Sequence, residues 1–368
     1  MKNLKNMSAW GMNLKSPAII AGPCSVESPA QLSAICTEMK LNNIKPDLFR
    51  AGVWKPRTRP GGFEGLGATA LPWLEIVREE LNVPITVEVG NTKHVEEALK
   101  AGIDVLWVGA RTTVNPFSVQ EIAEALRGVD IPVLVKNPMS PDLGLWVGAF
   151  ERFNAVGIDR LAGIHRGFTD QHDKTYRNKP NWSIPIHLKR EIPGIEVIND
   201  PSHITGKRDM ILEVSQRALN FGLDGLMIET HHDPDNAWSD AAQQVTPTRL
   251  AEILKQLEFR ETLWNENLDD QLSKFRVEVD QLDHQLMEIL AERFKVIDKI
   301  GAHKRDQGLA VFQPDRWTSV MESRTKEGVA KNLSEKFMKE LLFAIHEESV
   351  KRQEKQIKTQ STTNSLKV

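Results

Sequence analysis

The stretch ITVEVGNTKHVEEALKAGIDVLWVG, residues 85–109, carries two different periodicities. Its ends, ITVEV and VLWVG, are short, apolar and rich in β-branched residues, as strands buried on both faces require. Between them NTKHVEEALKAG places apolar residues at helical spacing, with Asn91 or Thr92 as a cap and Gly102 as a stop. The unit therefore reads strand–helix–strand. Similar short apolar runs occur at 18–22, 48–52, 133–137, 160–165, 196–200 and 225–229, and helical patterns such as NPFSVQEIAEALRG lie between them. Eight strand–helix pairs in series predict an α/β fold, a (β/α)8 TIM barrel over residues 1–258. A doubly wound open sheet is the alternative, because strand order is invisible in a sequence.

The chain has 368 residues, which is long for one average domain and suggests a large and a smaller one. Its formal net charge of -3 gives no reason to expect nucleic acid or a membrane surface as partner. The first 20 residues lack the apolar core of a secretory signal, and no run approaches the roughly 20 apolar residues that span a bilayer. Cys24 and Cys36 are the only cysteines, too few for a disulfide framework, so a cytoplasmic location is expected.

A barrel puts its chemistry at the C-terminal ends of its strands. The residues predicted there are Cys24, Arg50 with Lys55 and Arg57, Glu88, Arg111, Lys136, His165 with Arg166, His203, and Glu229 with Asp240. Cys24, His203, Glu229 and Asp240 offer a thiolate, an imidazole and two carboxylates. That mixture suits Mn, Fe, Co or Zn better than Mg or Ca, which favour oxygen alone. The other reading of these four is ordinary loop residues. The neighbouring cations suggest substrates that carry phosphate or carboxylate.

The motifs GPCSVES (22–28), KPRT (55–58), GAR (109–111), HRGF (165–168), DPSH (200–203) and the terminal IE…SD (228–240) occur in the order of the type I DAHP synthases of the shorter β-like branch. The resemblance covers roughly residues 10–258. It implies a barrel that condenses phosphoenolpyruvate with erythrose 4-phosphate. On it, Cys24, His203, Glu229 and Asp240 match a divalent-metal site, with Mn the expected ion. Arg111, Lys136 and Arg166 match cations that bind phosphoenolpyruvate, and Arg50 stands among the substrate-binding groups. Lys55 would reach the reacting centre, while Arg57 and Thr58 would hold the tetrose phosphate. Lys55 and His203 are the candidates for proton transfer. Relatives that use arabinose 5-phosphate share part of this site, but the KPRT wording favours the tetrose.

After residue 258 the alternation stops. Leu268, Leu272, Phe275, Val279, Leu282, Leu286 and Ile289 recur at spacings of four and three, a heptad seam on a long helix. Arg293 interrupts that seam. Either it snorkels to solvent or an anion waits inside. Lys304 lies eleven residues further, about three turns, on nearly the same face, with Gly301 between them. Shorter helices are predicted over 313–328 and 334–357. The expected layout is a linker at 259–269, a smaller all-α domain at 270–357 and a disordered tail at 358–368.

This second region resembles the all-helical AroQ-type chorismate mutases over about 268–356. The matching positions are Arg276, Leu282–Asp283, Ala291–Glu292–Arg293, Gly301, Lys304, Arg316, Ser349 and Gln353. The resemblance implies rearrangement of chorismate to prephenate in a homodimer joined through the helical domain, with Arg276 serving the partner's site. Arginine forks would grip the two carboxylates, and Lys304 and Gln353 would stabilise charge on the ether oxygen. Two positions depart from the pattern: Gln313 replaces an aspartate, and Trp317 replaces a glutamate that contacts the substrate hydroxyl. A different expectation for this region is a dimerisation module that senses prephenate or chorismate.

Overall fold

The computed structural model describes residues 1, 3–56, 61–259 and 270–364. Its strands are β1 (Ala18–Gly22), β2 (Leu48–Ala51), β3 (Ile85–Val89), β4 (Val105–Val108), β5 (Val133–Lys136), β6 (Leu161–His165), β7 (Glu196–Asn199) and β8 (Gly225–Glu229). Each pairs in parallel with the next, and β8 pairs with β1 to close the barrel. The closing register runs over five residues, from Ala18↔Gly225 to Gly22↔Glu229. The open-sheet alternative is thereby excluded.

Helices follow the strands where caps and stops allow. The Asn91 side chain accepts the His94 N–H and starts Thr92–Lys100, while Gly102 follows that helix at φ 65°. Asn115, Asp142 and Thr246 cap the helices Pro116–Ala125, Leu143–Ala155 and Pro247–Gln256 in the same manner. Alternate strand residues divide the apolar interior into two bodies. The larger lies between strands and helices. The smaller fills the barrel with Ile20, Leu48, Trp107, Ile164, Ile198 and Met227, and Met7, Trp10 and Leu14 from the N-terminal segment join it. With the interior filled in this way, the charged groups gather at the mouth where the strands end.

The chain divides into two compact units, Met1–Thr262 and Leu263–Val368. The expected linker lies, apart from Phe259, outside the described residues. The second unit is all helix: Asp270–Asp306, Pro314–Ala330 and Glu335–Asn364. The first of these packs against the third at Gly301, where a Cβ would stand 3.0 Å from the Gln353 Cα. The third helix runs past the predicted end at 357 to Asn364, through a stretch without Gly or Pro to stop it.

Candidate active sites

At the mouth of the barrel, β1 ends in Gly22 and delivers Cys24 to a fully buried position. The Cys24 amide donates to Gln244 Oε1 at 2.9 Å. Its Sγ lies 3.4 Å from Asp240 Oδ2 and 2.9 Å from Lys55 Nζ, which also donates to the Cys24 carbonyl. Burial, reinforced by the nearby Glu229 charge, pushes the thiol up to about 12.

Glu229 ends β8 and is equally buried. Arg50 from β2 sets Nη2 2.9 Å from its Oε1, and Gln243 donates to Oε2 at 2.6 Å. Burial acts against the charged form of Glu229, but His203 and Arg50 outweigh it and lower the pKa. Asp200 caps the short helix Pro201–Thr205 by accepting the His203 N–H. It also takes His203 Nδ1 at 2.8 Å and Lys136 Nζ at 2.9 Å. A carboxylate can only accept, so Nδ1 carries the proton and Nε2 faces Glu229 Oε1 at 3.7 Å. Asp200 is held well below the usual carboxylate range: burial opposes its charge, and His203 and Lys136 overcome that penalty.

Trp107 forms the floor between the cations. Arg50 and Lys136 stand 5.3 and 5.9 Å from its ring centre, and its Nε1 donates to Glu88 at 3.0 Å. Lys55, Arg111, Lys136, Arg166 and Arg177 line one cleft together with His203 and Asp240. Arg166 donates to Asn178 at 2.6 Å, and burial pulls its pKa down to about 10. Five cations against two carboxylates, Glu88 and Asp240, line this cleft, although Lys136 is paired with Asp200 and Arg177 with Asp240; an excess of positive charge of this kind suits anionic groups.

The expected metal ligands stand as two pairs, Cys24 with Asp240 and His203 with Glu229. Among the described residues no three His, Cys, Asp or Glu side chains close around one point. The donor types nevertheless fit a borderline divalent ion, and Glu229 Oε1 is buried without a hydrogen-bond donor despite its ion pair to Arg50. Arg57 and Thr58 lie outside the described residues. Arg177, Asp200 and Gln243 were missed from the sequence. Arg177 binds Asp240 at 3.1 Å and Gln243 at 2.6 Å from an irregular segment without periodicity, whereas Asp200 stood in view within DPSH. His165 takes no part in the cleft: its ring is bonded to Pro180 O and Asn199 beneath it.

The helical unit has its own pocket, lined by Arg293, Lys304, Gln313, Arg316, Trp317, Arg324, His346, Ser349 and Gln353 among others. Its described lining contains four cations and no carboxylate. Arg293 donates to Ser349 Oγ at 2.9 Å, and Lys304 donates to the Val311 carbonyl at 2.6 Å. Burial lowers the pKa of Arg293. Gln353 Nε2 donates to the Ser349 carbonyl, while its Oε1 is buried without a hydrogen-bond partner among the described residues. Trp317 stacks on His346 at 3.8 Å and 22°, forming an aromatic wall of the pocket. Arg324 and His346 were not anticipated. Arg276 is exposed and does not line this pocket.

Known proteins agree with both halves. Residues 8–266 match the DAHP synthetase I family and residues 275–354 the family of type II chorismate mutases. Phospho-2-dehydro-3-deoxyheptonate aldolase of Thermotoga maritima is 26% identical over 239 residues, covering 65% of this chain and 68% of the relative. Its crystal structure aligns with a TM-score of 0.58 at 25% identity, over 65% of this chain and 67% of that one. A 2-dehydro-3-deoxyphosphooctonate aldolase of Paracidovorax citrulli is 26% identical, covering 65% of this chain and 88% of the relative. A closed eight-stranded barrel with a cationic mouth, followed by a helical unit with a cationic pocket, thus has a family on each side of the boundary: the chain belongs to the DAHP synthetase I family and carries a type II chorismate mutase behind its barrel, a bifunctional transferase and isomerase.

Proposed function

We propose that the barrel condenses phosphoenolpyruvate with erythrose 4-phosphate and that the helical unit converts chorismate to prephenate. The observation that carries the first part is the convergence of five cations on a cleft beside a thiol, an imidazole and two carboxylates. Arg111, Lys136 and Arg166 hold the carboxylate and phosphate of the enol substrate, and Trp107 with Asp200 fixes Lys136. Cys24, His203, Glu229 and Asp240 would hold a divalent ion, Mn, Fe, Co or Zn, whose chemistry is to polarise the aldehyde oxygen. The enol carbon attacks that aldehyde, and Lys55 or His203 transfers the proton. Water then adds to C2 and phosphate departs.

In the helical pocket the rearrangement is intramolecular and needs no nucleophile. Arg293 and Arg316 grip the two carboxylates, and Lys304 meets the ether oxygen as its bond breaks. A homodimer would bring Arg276 to the other chain's pocket. Two free, buried cysteines agree with a reducing cytoplasm.

The test follows phosphoenolpyruvate consumption with erythrose 4-phosphate or arabinose 5-phosphate, after chelation and again after adding Mn. Metal-dependent turnover with the tetrose alone is expected; turnover with only the pentose would overturn the assignment. Arg293→Ala is expected to lower mutase turnover by about 10²–10³-fold and to leave condensation unchanged. The aromatic wall of Trp317 and His346 favours a second reading, in which the helical unit mainly senses prephenate or chorismate. That reading fails if a chain ending at Thr262 keeps the full chain's response to prephenate.

A further inference from the structure

Glu27 is a buried carboxylate that the condensation chemistry does not use, and only 8% of it is exposed. Its partners come from two loops. On its own side, after β1, Ser25 Oγ donates to its Oε1 at 3.1 Å. From the loop after β8, the Trp238 amide donates to the same oxygen at 2.8 Å. Ser239 donates its hydroxyl to Ser25 Oγ at 2.6 Å, since the Ser25 proton is already committed to Glu27. His231 accepts the Asp233 N–H at Nδ1, so its ring proton sits on Nε2, 3.5 Å from Glu27 Oε2. Gln244 makes a second crossing, accepting the Cys24 amide and donating to the Ser239 carbonyl.

The two loops joined in this way carry Cys24 and Asp240. Asp240 follows Ser239 directly and holds φ 47°, ψ 40°, in the left-handed region that aspartate and asparagine enter more readily than other non-glycine residues. The Trp238 amide, two residues before Asp240, donates to the buried Glu27 carboxylate and so ties this turn to the loop after β1. We propose that Glu27 is a positioning residue, latching the loop after β1 to the loop after β8 so that Cys24 and Asp240 stand at a spacing one divalent ion can share. The proposal rests on the metal-site reading above. It assigns Glu27 no contact with substrate. Its physical basis is that changing groups which orient metal ligands typically costs about 10–100-fold in metal affinity.

Cobalt(II) added to the metal-free full chain reports both the ion and the thiolate, through the thiolate-to-cobalt charge-transfer band. Competition with a chelator supplies the affinity. Glu27→Ala is expected to weaken cobalt binding by about 10–100-fold and to diminish the band. Glu27→Gln keeps an oxygen for the Trp238 amide and is expected to fall between Ala and wild type, a graded rescue that general loss of packing would not give. Ser239→Ala leaves Glu27 in place and is expected to weaken the band in the same direction. Should Glu27→Ala fail to fold, Glu27→Gln and Ser239→Ala decide the matter. Wild-type affinity and an unaltered band in the folded variants would overturn the latch. A wild-type chain that binds cobalt without the band would instead overturn Cys24 as a ligand, and with it the reading on which the latch depends.

Discussion

His165 shows how a single buried side chain shapes the acid limit of the barrel. Its Nε2–H donates to the Pro180 carbonyl at 2.6 Å, and Nδ1 accepts from Asn199 at 3.1 Å, so a second proton would face a donor. Burial, only partly opposed by Pro180 and Asp200, pulls its pKa down from 6.5 to about 4. The folded barrel therefore keeps His165 neutral while the unfolded chain takes up a proton below pH 6.5. Stability from this residue is complete above 6.5 and is lost as pH falls through 4, about 3 kcal/mol in all. Urea unfolding of the barrel at pH 7 and pH 4.5 should show that loss, and His165→Gln should flatten the difference between the two. The sequence placed His165 correctly at a strand end but offered it to the cleft, because a strand end has two sides and a sequence names only the position. Glu27 was legible in the same limited sense. It stood inside GPCSVES, yet its bond to the Trp238 amide spans 211 positions and leaves no local signal.

Among elements, the contact between the helices Asp270–Asp306 and Glu335–Asn364 is the tightest test of packing. Gly301 allows them to approach, and a methyl group there would meet Gln353 Cα at 3.0 Å and its Cγ at 3.2 Å. Alanine would gain about 1 kcal/mol in helix propensity, against about 1–3 kcal/mol for overpacking. The neighbouring atom is backbone and cannot turn aside alone, so Gly301→Ala is expected to cost stability on balance. Because Gln353 lines the pocket, mutase turnover should fall with it while condensation is kept; parallel assays of the two activities would check this. The strands were easier to read than these helices. Each observed strand lies within one residue of its expected bounds, because short β-branched runs framed by Gly, Pro and Asn leave little freedom. The end of the last helix was misjudged by seven residues, since a polar stretch without Gly or Pro can be tail or helix with equal ease.

At the scale of the molecule, the two units differ in how they finish themselves. The barrel encloses its apolar residues in two buried bodies. The helical unit leaves a row of them uncovered: Val279 is 54% exposed, Leu282 57% and Ile289 63%. A row of that kind calls for a partner surface, and a second copy is the one we expect. A chain ending at Thr262 should therefore keep a cooperative melting transition, while residues 263–368 alone should sediment as a dimer at micromolar concentration. A helical monomer at that concentration would remove the case for a homodimer through this domain. The sequence foretold the heptad row and its interruption at Arg293. It also predicted the closed barrel, from the count of strand–helix pairs and not from the closing pair itself, since the hydrogen bonds between β1 and β8 join residues such as Ile20 and Met227 that share no local pattern.

That closing pair also sets a timetable. β1 leaves the ribosome before β8, and its second neighbour is made about 200 residues later, roughly 10–40 s at ordinary rates of synthesis. Throughout that interval one edge of the nascent sheet has no strand to bond. The helical unit, with its uncovered apolar row, is synthesised only after β8 has been added. Chain order thus lets each barrel complete its own circle before the surface that would join it to another copy exists.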